Sequence, residues 1–366
     1  MREVEKFESY LGLPTLIGWS KYQAFSFLKE RVWKKIQGWK GKLLSRAGKE
    51  VLIKAVAQSI PTYTMGVFQL PMKLCNELNM LCARFWWGQS GDDKKIHWKS
   101  WDSLAMPKKV GGLGFRDIRC FNLAMLAKLG WRLLTNHDSL LFRCFKTKYF
   151  PRCTFLEAAD RPRSSYVWKS LIAAKPILRK GCCWRVGSGS SIWVLSDKWL
   201  PHHPLNKILT PPVEVEENWL VSELIDWNTF QWDRSLIDRA FSKYDAEAIF
   251  RIPLSRRYVP DVMVWLYNKN RRYSVHSGYH TARNLLRESN QDGEGSNLWE
   301  CSDVWVRIWK LHIPTKIKVF MWRACHDILP TFEKLRQQQI IEKDLCPICN
   351  RVPKTILHAM WECAEA

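Results

Sequence analysis

Apolar residues recur every three to four positions along much of this chain, the spacing that gives a helix one buried face. From 20 to 39, Phe25, Leu28, Val32 and Ile36 share a stripe behind Ser20, a residue type suited to capping a helix start. This predicts a helix over 20–39, ended by Gly38 and Gly41. A second is predicted over 45–60, with Val51, Leu52, Ala55 and Val56 inward and a stop at Pro61. A third fits 71–87 along Leu74, Leu78, Leu81 and Phe85, and others fit 117–135, 139–149 and 165–179.

Near residue 182 the period changes. Short apolar runs at 182–186 and 191–195 flank Gly187-Ser188-Gly189-Ser190, which reads as a β-hairpin. Residues 201–218 carry Pro201, Pro204, Pro211 and Pro212 and read as an extended loop, so His202 and His203 are loop residues and not ligands. One or two helices fit the acidic stretch 214–247. A second hairpin over 261–275 turns at Asn268-Lys269-Asn270, and a helix follows to about Arg287. Residues 289–297 are a polar linker. Past it, Trp305, Trp309 and helices over 315–326 and 331–340 form a compact unit. The expected fold class is α+β, predominantly helical, with bounds at 1–70, 71–288 and 298–366.

Composition sharpens this picture. The 366 residues are 46% hydrophobic and 13% aromatic, which excludes a disordered tail. The Trp residues at helical spacing are read as core and not as base-stacking platforms. A formal charge of +22 points to a polyanionic partner, nucleic acid before membrane. Residues 29–54 hold nine Lys and Arg against only Glu30 and Glu50, whereas a merely solubilising face would mix signs. Lys34, Lys35, Lys40, Lys42, Arg46, Lys49 and Lys54 are therefore the candidate phosphate contacts, binding RNA or an RNA/DNA duplex largely without regard to sequence. No run of eighteen apolar residues occurs, so no membrane span is expected, and no small-molecule substrate is implied. The start at Met1 lacks an apolar leader pattern. The cysteines outside the C-terminal cluster follow no disulfide framework, which suits a reduced, intracellular setting.

That cluster has the spacing C-x2-C-x8-H-x4-C: Cys346, Cys349, His358 and Cys363. Two thiolates three positions apart can grip one ion from a tight turn, helped here by Pro347 and Asn350. A His and a third Cys complete the four donors of a closed tetrahedral zinc site, so one structural Zn2+ per chain is expected.

Catalytic patterns are missing by comparison. The adjacent pair Asp92-Asp93 sits among polar and basic residues with no strand pattern on either side, unlike the rigid carboxylates of a two-metal polymerase. Gly111-Gly112-Leu113-Gly114 lacks the spacing of a phosphate-cradling loop and reads as a turn. The expectation is a chain with no catalytic residues of its own.

Several blocks, in order, resemble plant non-LTR (LINE-type) retrotransposon reverse transcriptases. They are Tyr10-Leu11-Gly12-Leu13-Pro14, Val32-Trp33-Lys34-Lys35-Ile36-Gln37-Gly38-Trp39, Lys42-Leu43-Leu44-Ser45 through Ile53-Lys54, Ile60-Pro61 and Leu70-Pro71. The likeness continues at Gly111–Gly114, at Lys148-Tyr149-Phe150-Pro151, and from Trp184-Arg185-Val186-Gly187 to Asp197-Lys198-Trp199-Leu200-Pro201. Residues 305–363 are similar to the reverse-transcriptase zinc-binding domain, in Trp309-Lys310-Leu311, Ile313-Pro314, Trp322-Arg323-Ala324, Leu329-Pro330-Thr331 and the ligand set.

The resemblance implies a thumb-like basic segment at 1–70 that follows a primer–template duplex, a mixed connector at 71–288, and the zinc domain. It also implies that endonuclease, fingers and palm would precede residue 1 and that a ribonuclease H domain would follow, with nuclear residence from the family's life cycle. Two departures stand out. Lys354 replaces the family's acidic residue, and the chain ends three residues after Cys363, where relatives continue with an apolar segment. The alternatives are a zinc-stabilised protein–protein interaction module and a decayed retroelement fragment without a selected role.

Overall fold

Helices dominate the computed structural model, which describes residues 9–15, 17–40, 42–88, 95–211, 216, 218–289 and 303–365. The described strands are short and pair only two by two, so the protein is α+β and predominantly helical. The chain divides into two units: 1–62, 70–119 and 293–366 make one, and 63–69 with 120–292 make the other. Segments expected in three successive domains thus share the first unit. Asp92 and Asp93 and residues 290–297 of the expected linker lie outside the described residues.

In the first unit, the helix Lys21–Lys40 buries Phe25, Leu28, Val32 and Ile36, the expected stripe, and packs on the helix Met72–Trp87. Ser20 accepts from the Gln23 N–H at 3.4 Å, as a cap should. Gly38 does not end this helix. A single glycine costs only about 1 kcal/mol against alanine, less than the burial of that stripe returns. Across the pair, the Tyr22 hydroxyl donates to Glu77 at 2.6 Å, and Lys29 pairs with the same carboxylate at 3.0 Å.

The next helix departs from expectation. It runs as an α-helix over Arg46–Leu52 and then opens into a wider turn over Ile53–Ala57, where the Gln58 N–H reaches back to the Ile53 carbonyl. The extra residue in that turn rotates the inward face. Glu50, Ile53, Ala57 and Gln58 are buried, while Val51 is exposed. Gln58 then pairs with the backbone of Arg116, donating at 2.7 Å and accepting at 3.2 Å. Further along the chain, the helices Asp303–Lys310 and Thr315–Cys325 pack on each other. They also pack against Lys108–Val110 and Arg46–Leu52.

The second unit holds the helices Ile118–Thr135, Leu140–Tyr149 and Tyr166–Gly181, close to their expected bounds. Ser139 and Ser165 cap the last two by accepting from Phe142 and Trp168 N–H groups. Trp168 is fully buried, with Tyr149 stacked on it at 4.4 Å between ring centroids.

Neither predicted hairpin forms. Cys182–Arg185 pairs antiparallel with Val262–Trp265 instead, in register from Cys182 opposite Trp265 to Arg185 opposite Val262. The reason lies in Asp261. Its carboxylate accepts from the N–H groups of Gly187 and Gly189 at 2.8 Å and of Ser191 at 2.9 Å, so the Gly-Ser turn wraps a side chain and does not fold back on its own strand. A second core gathers Ile192, Val194, Trp199, Val221, Leu224 and Ile237. The acidic stretch supplies the helices Arg234–Ala240 and Lys243–Phe250. His203, in its loop as expected, is buried with its Nε2 3.1 Å from Asp245.

Candidate metal centre

The C-terminal segment is built from local turns. The Cys346 N–H donates to the Val352 carbonyl at 2.8 Å, and the Lys354 N–H to Asp344 at 2.7 Å, so the chain doubles back as a narrow ribbon. Its tip closes where Asn350 donates its N–H to the Cys346 carbonyl at 2.8 Å, with Asn350 in the left-handed region at φ 52°. Asn tolerates that conformation better than most residues. Thr355 then caps a helical turn by accepting from the His358 N–H at 2.9 Å. The turn runs over His358–Glu362 and ends with the Cys363 N–H on the His358 carbonyl at 3.0 Å.

These turns bring Cys346, Cys349, His358 and Cys363 together, with every donor atom within 4.8 Å of the others. Cys349 Sγ lies 3.3 Å from His358 Nε2. Cys346 and His358 are buried, and Cys349 and Cys363 partly so. The Cys349 backbone N–H, assisted by that of Ile348 and by His358, pulls the Cys346 thiol down to about 6. At Cys363 the Glu365 backbone N–H lowers the thiol, but desolvation and the neighbouring sulfurs outweigh it and leave the thiol raised. Crowded sulfurs of this kind are neutralised by one soft dication. Three thiols and an imidazole converging from two turns fit zinc, and among the described residues no fifth donor joins them. Lys354, the departure from the family pattern, places its ammonium 5.4 Å from the centre of the Phe332 ring.

The basic candidates divide into two kinds. Lys34, Lys35 and Lys42 are exposed. The side chain of Lys40 lies outside what is described. Arg46 instead donates to the carbonyls of Trp86 and Trp87 at the end of their helix and lies over both indoles. Burial lowers its guanidinium to about 10. Lys54 bonds Glu50 and the Leu113 carbonyl, each at 2.6 Å, and burial lowers its ammonium too. Lys49, lowered by desolvation, sits 5.4 Å from the centre of the Phe85 ring. The charge count could not separate cations that brace the fold from cations that face water.

One role went unseen in the sequence. The Gly111 carbonyl, in a turn with φ 88°, accepts the Trp322 indole N–H at 2.7 Å, and His326 Nε2 lies 2.7 Å from the same oxygen. Nothing local marks such a pairing, although the glycine cluster is a turn as expected.

Comparison with known proteins follows this geometry. Residues 273–366 match the family described as zinc-binding in reverse transcriptase. The chain is 27% identical over 354 residues to "Putative ribonuclease H protein At1g65750" of Arabidopsis thaliana, covering 93% of this chain and 54% of that one. It is 36% identical over 153 residues to "Uncharacterized mitochondrial protein AtMg00310" of the same plant, covering 40% of this chain and 99% of that one. Residues 273–366 are therefore of the reverse-transcriptase zinc-binding type. The chain belongs to the plant retrotransposon reverse-transcriptase family, and it spans about half the length of the first of these relatives. No described helix is long and apolar enough to cross a membrane.

Proposed function

We propose that this chain is a non-catalytic, nucleic-acid-binding region of a retrotransposon reverse transcriptase, with one structural zinc ion held by Cys346, Cys349, His358 and Cys363. In this reading 1–70 is the thumb-like part, 71–288 the connector and 298–366 the zinc domain. Cys346, Cys349, His358 and Cys363 would hold the zinc, which would cross-link the C-terminal turns. The chain's own contribution to binding is charge. The observation that carries the reading is the exposed set Lys34, Lys35 and Lys42, on and just after a helix whose other face is core. Such cations would hold phosphates without reading bases.

Affinity for a duplex should therefore fall steeply with salt. Replacing Lys34, Lys35 and Lys42 by Gln should lower the slope of log K against log salt by about 3, at roughly 0.9 per phosphate for duplex DNA. The same change at the exposed Lys243, Lys316 and Lys343 controls for net charge. An equal loss of slope in both variants would refute the assignment.

A specific feature favours a second reading, a protein-docking role for the zinc domain. Leu357, Met360 and Trp361 are exposed beside the metal turns, Trp361 by 88%. Under that reading Trp361→Ala abolishes partner binding and leaves the salt slope unchanged.

A further inference from the structure

The second unit contains a cavity of about 420 Å³ that no part of the metal centre or the basic helices touches. Its wall is one face of the helix Val275–Glu288, which presents His276, Ser277, His280, Thr281 and Asn284 at successive turns. Lys180, Tyr267, Asn268 and Lys269 complete it. Every charged side chain in this lining is a lysine, and two imidazoles join them. Among the described residues, no carboxylate lines the cavity. Outside the lining, Glu288 holds Lys180 at 2.5 Å. His276 and Ser277 lie in the first turn of their helix, where the backbone dipole also favours negative charge.

The pocket is held open by bonds among its framework groups. Ser277 is fixed by the Trp265 indole N–H at 2.8 Å, Thr281 by the Ser277 carbonyl at 3.1 Å, and Asn268 by the Arg272 carbonyl at 2.6 Å. The two imidazoles sit 4.8 Å apart, between centroids, one turn from each other. Lys269, His276 and Asn284 are exposed at the mouth, and Tyr267, exposed by 49%, offers a flat aromatic wall.

We propose that this cavity binds the phosphate of a nucleotide, free or at the end of a strand, with Lys269 and His276 on the phosphate and Tyr267 against the base. Donors of this kind make short, charge-assisted bonds to phosphate oxygens, and a phenol ring stacks on any base. The site does not depend on the phosphate contacts proposed for Lys34, Lys35 and Lys42, and the two can fail separately.

The test uses the full chain. Uridine and adenosine 5′-monophosphate are titrated by calorimetry, alongside the unphosphorylated nucleosides. Nucleotide binding competed by inorganic phosphate is expected, with nucleosides at least about tenfold weaker. Lys269→Gln with His276→Gln, both at exposed positions, should weaken the nucleotides about tenfold or more, while the Lys34, Lys35 and Lys42 variant leaves them unchanged. A 5′-phosphorylated oligonucleotide that binds tighter than its 5′-hydroxyl counterpart, with the difference lost in the double variant, supports the strand end as the source. Equal affinity of nucleotides for the parent and the double variant would overturn the proposal. So would no binding by the parent at millimolar nucleotide, or tight Ni2+ binding at His276 and His280 that phosphate does not oppose.

Discussion

Trp322 donates its indole N–H to the carbonyl oxygen of Gly111 at 2.7 Å, joining a helix near the metal turns to a glycine turn 211 positions earlier. The indole is buried, and Trp305 stacks on His326 beside it at 4.4 Å between centroids. Trp322→Phe keeps most of the apolar contact and removes one donor from a carbonyl that His326 also serves. Chemical denaturation should show a loss of about 1–2 kcal/mol.

His326 makes this contact pH-sensitive. Burial outweighs the Gly111 hydrogen bond and lowers its pKa from the ordinary histidine value. A folded pKa below the unfolded one means that the unfolded chain binds more protons, so stability rises with pH. The contribution is present above about pH 6.5 and is lost as pH falls through the folded pKa. Denaturation series from pH 7.5 to 5.5 should decline more steeply for the parent than for His326→Gln. Parallel slopes would show that His326 is not the group.

Two glycines separate close packing from helix propensity. A Cβ at Gly112 would lie 1.9 Å from the Met106 carbonyl oxygen, a backbone atom that cannot step aside cheaply. Gly112→Ala should cost about 3 kcal/mol or more in thermal or chemical unfolding. At Gly38, inside the first long helix, the added methyl meets nothing within 4 Å. Gly38→Ala should stabilise by about 0.5–1 kcal/mol, because alanine loses less backbone freedom there.

The metal turns and the helices before them should respond differently to metal loss. Freshly purified, reduced protein should contain about one zinc per chain by elemental analysis, and Cys349→Ser should release it. Amide exchange protection should then collapse over 344–363, whose backbone bonds are mostly local. The Thr315–Cys325 helix should stay protected, since Val319 and Trp322 are buried without help from the ligands. Collapse of both segments together would show that the metal holds the whole C-terminal part.

Much of this protein follows from the sequence alone. Helix stripes such as Phe25, Leu28, Val32 and Ile36 are legible because burial of one face repeats at the helical period. The convergence of Cys346, Cys349, His358 and Cys363 was legible too, because short turns join all four donors. Only the tertiary structure decided features that depend on distant residues. Asp261 captures the Gly-Ser turn and sends Cys182–Arg185 to pair with a strand some eighty residues later. The wide turn at Ile53–Ala57 rotates Glu50 and Gln58 inward, because Gln58 meets the Arg116 backbone there. Arg46 and Lys54 look like phosphate contacts in sequence, yet they serve the Trp87 helix end and Glu50. A charge's neighbours along the chain do not reveal which carbonyl or carboxylate the fold will bring beside it, and that partner decides whether the charge faces water or the protein.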